Sequence, residues 1–119
     1  MVPRTFADGA AIGVSMLCMI HCLAVPALLA VAPWIVPGFF ADERFHAIAV
    51  ALALPLSAFA LAGTLQARPS IVVLAAAGLT LLLIATLVHE EVLEVGLTVA
   101  GALFVALAHV RNLMVRSAH

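Results

Sequence analysis

Residues 16–26, MLCMIHCLAVP, hold the only two cysteines of the chain, Cys18 and Cys22, with His21 between them. On a helix, positions i, i+3 and i+4 share a face, so this spacing gathers two sulfurs and an imidazole into one cluster. Ser15 continues that face one turn earlier, and Met16 and Met19 flank it. Thiolates and imidazole suit soft or borderline ions such as Cu(I), Zn(II) or Hg(II) and do not suit hard ions, which want oxygen. Three donors leave a tetrahedral zinc site unclosed, and an open site is one that can give its ion up. The simpler reading is that both cysteines pack as small hydrophobes while His21 bonds to another helix. A disulfide between them is disfavoured, since helical residues at this spacing hold their sulfurs apart.

The surroundings bear on that choice. Of 119 residues, 66% are hydrophobic and 9% charged, with a mean hydropathy of +1.29. A soluble domain of this length cannot hide so much apolar surface, so the chain belongs in a bilayer. An imidazole there is costly without a partner, which favours the ligand reading of His21; beside the thiols it also favours a thiolate. With no Tyr, one Trp and a formal net charge of -1, the chain has no basic, aromatic-interleaved surface for nucleic acid. No glycine-rich phosphate loop points to nucleotide hydrolysis, and no enzymatic activity or organic cofactor is expected.

Four apolar segments can position the cluster, at about 10–36, 45–65, 71–88 and 92–110. The fold expected is all-α, an integral membrane four-helix bundle forming one domain. Pro26 and Pro33 loosen the outer end of the long first span, and Pro55 marks a kink in the second. The connections WIVPGFFADER, QARPS and HEE are short, which makes successive helices antiparallel neighbours. Arg4, Arg68, Arg111 and Arg116 fall on one side of this topology; Arg44 stands on the other with Asp42, Glu43, Glu90 and Glu91. The positive-inside rule then puts both termini in the cytoplasm. A cleaved signal peptide at AVAP is disfavoured, because the apolar run is too long for an h-region and proline follows. Gly9 and Gly13, Ala53, Ser57 and Ala60, Ala77 and Gly78, and Gly101 are small enough for close helix packing; the Gly9/Gly13 spacing is compatible with a homodimer.

Further polar residues fall inside or beside the spans. Glu94, Thr98, Gly101, Val105 and His109 share one face of the last helix, with Glu94 near its outer end. Glu94 is expected to face the interior, whereas His109, beside Arg111, serves equally as an interfacial histidine. His46 opens the second span with Ser57 on about the same face; His89 stands beside Glu90 and Glu91 at the mouth; His119 is a chain end. Asp8 is expected as the N-cap of the first helix.

Three segments in order, DGAAIGVSMLCMIHCLAVPALL, FHAIAVALALPLSAFAL and LEVGLTVAGALFVALAHVRNL, resemble the MerC family of small four-span inner-membrane proteins associated with mercuric ion uptake and resistance in bacteria. The resemblance covers nearly the whole chain. It implies that Cys18 and Cys22 take the metal with His21 beside them, and that His46, Glu94, His109 and Asn112 stand at recurrent family positions. Founding members carry a further cysteine pair toward the cytoplasmic tail, which this sequence lacks.

The function expected is uptake of a soft metal ion by ligand exchange, with mercuric ion as the cargo by resemblance and zinc or copper(I) open by chemistry. Cys18, Cys22, His21, His46, Glu94 and His109 form the candidate metal set, with His89 as a further outer contact and His109 as the inner one. The partners implied are the ion, the lipid bilayer, a periplasmic metal donor and a cytosolic thiol acceptor. Two alternatives stand beside this reading: a non-transporting metal- or haem-binding membrane protein, and a small accessory subunit of a larger complex.

Overall fold

The structure, a computed structural model, describes residues 3–32, 34, 44–64 and 66–117. Asp42, Glu43, Pro33, the expected end of the first span near Val36, and His119 lie outside the described residues. Among the described residues four helices follow one another: α1 (Arg4–Val31), α2 (Arg44–Leu61), α3 (Pro69–Ala85) and α4 (Glu91–Ser117). Three of them are long and apolar enough to cross a membrane, over Arg4–Val25, Arg44–Leu61 and Glu91–Arg116. The fourth, α3, is an apolar helix of 17 residues, about 26 Å at 1.5 Å per residue and close to the thickness of a bilayer core. The four pack as an antiparallel bundle 49 Å long, in which α4 lies against α1 and α3, α1 also against α2, and α2 touches α3 lightly.

Lipid-type sequence dictates what faces outward. Leu17, Ile20, Leu52, Val73 and Leu103 are all exposed, as expected of surfaces that meet acyl chains. Burial selects small and polar residues instead. Ala49, Ala53, Ser57 and Ala60 line the inner side of α2. Where α3 crosses α4, a methyl group on Gly78 would lie 2.7 Å from the Gly101 carbonyl, and one on Gly101 would lie 2.8 Å from the Gly78 carbonyl. The two backbones touch, which only glycine permits. Gly9 and Gly13 differ: a methyl group added to either meets nothing within 4 Å.

Two expectations about helix ends are corrected. Asp8 does not cap α1, whose N-cap is Pro3; it sits inside the helix and is fully buried against α4. The helix opens earlier than hydropathy suggests because Ala7, Asp8 and Ala11 are all buried, so interhelical packing continues beyond the apolar stretch. Pro26 lies within α1, which runs on to Val31, and Pro55 lies within α2, where it was expected. At α4 the cap is Glu90, whose carboxylate accepts from the backbone N–H groups of Val92 (3.2 Å) and Leu93 (2.8 Å).

Candidate metal site

Antiparallel packing brings the C-terminal half of α1 against the first turns of α2 and α4. His21 and Cys22 of α1 and His46 of α2 then place one donor atom each within 4.8 Å of one another. The Cys22 Sγ lies 2.9 Å from His46 Nε2, and His21 Nδ1 lies 3.2 Å from the same nitrogen. On the other side of that ring, His46 Nδ1 is 3.2 Å from Glu94 Oε1. A carboxylate accepts, so Nδ1 carries the hydrogen and the Nε2 lone pair faces the thiol. This is the arrangement by which an outer carboxylate fixes the tautomer of a metal-ligating histidine. Phe45 stacks on His21 with ring centroids 3.9 Å apart and fixes the plane of the second imidazole.

Cys18 is placed differently. It is buried one helical turn from Cys22, about 6 Å along the axis, in a cluster with Ala49, Val50, Leu82, Ala102 and Val105. The shared face predicted for Cys18 and Cys22 is present; the three-donor group, however, takes its third member from α2 and not from Cys18. Ser15, the next residue on this stripe, is buried with no hydrogen-bond partner for its hydroxyl among the described residues. Thr98 of α4 lies beside the Cys22 thiol, while its hydroxyl donates to the Glu94 carbonyl at 2.8 Å. A cavity of about 280 Å³ lined by Cys22, Leu23, Glu91, Val92 and Val95 opens beside the thiol at the end of the bundle that carries Glu90 and Glu91. His89 is exposed near this end and is not part of the donor group.

His109 belongs to a separate polar centre toward the opposite end. Its Nδ1 is 2.5 Å from Asp8 Oδ1 and its Nε2 is 3.0 Å from the Ser57 hydroxyl. The Asn112 amide donates to both Asp8 oxygens, at 3.1 and 2.8 Å, and its carbonyl oxygen accepts from Thr64 at 2.8 Å. Arg116 donates to the Ala60 carbonyl at 2.9 Å, with its Nε 3.7 Å from Asp8. Both ring nitrogens of His109 are therefore engaged, and binding an ion there requires giving up one of these bonds. Asp8 is the partner of His109, a placement that the expectation of a helix cap missed. The signal lay in its spacing: Asp8, Ala11, Ser15, Cys18 and Cys22 form one helical stripe, and all five are buried.

A multi-pass helical membrane protein carrying a thiol–imidazole donor group between its helices is what this fold and site define. The chain matches the model of a family described as MerC mercury resistance protein over residues 8–114, and it belongs to that family. Searches of curated proteins and of solved structures each return no match. Membership makes this a protein of mercury-related membrane transport or resistance, and the Cys/His group is consistent with a metal ion as what it handles.

Proposed function

We propose that this protein carries mercuric ion into the cell across the bacterial inner membrane by ligand exchange at Cys22, His46, His21 and Cys18. The observation that carries the reading is the meeting of His21, Cys22 and His46 from two helices within 4.8 Å, with Glu94 behind His46. Family membership favours mercuric ion over the zinc and copper(I) that the same donors would accept. The arginine distribution supports cytoplasmic termini, which puts Glu90, Glu91 and the cavity beside Cys22 on the periplasmic side.

An ion delivered by a periplasmic donor meets the acidic mouth first, then the Cys22 thiol and the His46 lone pair. Binding releases the thiol proton, because only the thiolate ligates. When Cys18 displaces the His46 nitrogen, the Cys18 proton leaves as the second bond forms, with the freed imidazole as its acceptor, and the ion is held by two thiolates whose charges cancel its own. An uncompensated dication in this apolar interior would be prohibitive. Release then falls to a cytosolic thiol. The purified chain should bind about one Hg(II), in competition with thiol alkylation, and C18S/C22S should abolish it, since hydroxyls are poor soft-metal ligands. Proteoliposomes holding internal glutathione should accumulate the ion with wild type and not with C18S/C22S. Unchanged binding by the serine variant would return both cysteines to packing residues. Full binding without flux would make this a metal-binding or accessory protein.

A further inference from the structure

The end of the bundle opposite the donor group holds Arg4, Arg68, Arg111 and Arg116 around two adjoining cavities of about 420 and 280 Å³. Arg4, Arg68 and Arg116 line the larger with Thr64 and Asn112; Arg68 and Arg111 line the smaller with Ser70. Among the described residues Asp8 is the one carboxylate at this end, and it is fully buried and already bonded to His109 and Asn112. Arg4, Arg68 and Arg111 have no ion-pair or hydrogen-bond partner for their side chains among the described residues. Helices α1 and α3 both begin here without an acidic residue in the first turn or a side-chain cap, so their unsatisfied N–H groups add positive potential. The C-termini of α2 and α4 offset it in part, but Arg116 already occupies the Ala60 carbonyl.

So much uncompensated positive charge, lining cavities, calls for an anion. Guanidinium forks match the tetrahedral oxygens of phosphate, and basic pockets between membrane helices bind acidic headgroups. Exposed Val73 and Met114 flank this end, so a phosphate seated there has apolar surface beside it on which acyl chains can lie. We infer that the two cavities form a binding site for a phosphate group, supplied by an anionic phospholipid that ties together the ends of α1, α3 and α4. The inference is independent of the cargo, since it uses no residue of the donor group.

The test is native mass spectrometry of the full-length protein in detergent with phosphatidylglycerol or phosphatidylcholine of identical tails. Inorganic phosphate and glycerol 3-phosphate are titrated in parallel against the melting temperature. Phosphatidylglycerol should be retained over phosphatidylcholine, and Arg68→Gln and Arg111→Gln should each weaken retention about fivefold. Neither side chain holds the fold by an ion pair, and Hg(II) binding should be unchanged in both, which shows that they fold. Arg44→Gln, at the other end, should leave lipid retention alone. Stabilisation by free phosphate, lost in the same variants and without lipid preference, would keep the phosphate site and make its source soluble. Equal retention of both lipids with no response to phosphate would overturn the proposal, as would an Arg44→Gln effect equal to that of Arg68→Gln.

Discussion

Two histidines in this bundle present Nδ1 to a carboxylate, and they end in opposite chemistry. His46 faces Glu94 at 3.2 Å, and His109 faces Asp8 at 2.5 Å. Beyond the ring they part: His46 Nε2 meets the Cys22 thiol and a second imidazole, with 14% of the His46 side chain exposed and a cavity beside the thiol. His109 Nε2 meets a serine hydroxyl in a site with no exposure at all. A carboxylate behind an imidazole fixes its tautomer in both cases. What meets the other nitrogen, and whether a cavity opens beside it, distinguishes the two centres. Asp8, His109, Asn112, Ser57 and Thr64 clamp α1, α2 and α4 together through bonds that complete one another, as a buried polar network must.

The strongest attempt to break this contrast is Asp8→Ala. It strands His109 and Asn112 without their carboxylate acceptor and takes the ion-pair partner from Arg116, which keeps its bond to the Ala60 carbonyl; stability to unfolding in detergent should fall by about 3–5 kcal/mol, the range for removing one partner of a buried charged pair. The fraction that remains folded should bind Hg(II) as wild type does; loss of binding by folded protein would show that the two centres are one. Glu94→Gln probes the other side. The amide oxygen can still accept from His46 Nδ1 but carries no charge, so the imidazole is held less firmly and is a weaker ligand; metal affinity should fall about 10-fold by titration while the melting temperature barely moves. A large fall in stability with unchanged affinity would make Glu94 a clamp like Asp8. The smallest effect is expected at Ser15, between the two centres, whose buried hydroxyl has no partner among the described residues. Ser15→Ala should raise stability by about 1 kcal/mol, because an unsatisfied buried hydroxyl is removed. A loss instead would place Ser15 in one network or the other.

The bundle itself was legible in the residues: long apolar runs, short connections and small residues at Gly78 and Gly101 leave few options where every backbone group must be satisfied inside its own helix. The i, i+4 face of Cys18 and Cys22 was equally legible, since helical periodicity alone fixes it. Glu94 facing inward followed from the cost of leaving a carboxylate in lipid.

Local spacing cannot say which helix supplies the next ligand. His21 and His46 are 25 positions apart, and Asp8 and His109 are 101 apart; nothing in either neighbourhood encodes the pairing. Asp8 read as a cap because aspartate near a helix start usually is one. Only the packing of α1 on α4 turned it inward and gave it a histidine to hold. The sequence by itself determined that thiols and imidazoles lie within a membrane bundle. Tertiary structure decided that Cys22 meets His46 while Cys18 lies in the apolar core, and that His109 is spent on Asp8 and Ser57, because those outcomes depend on which helix faces meet.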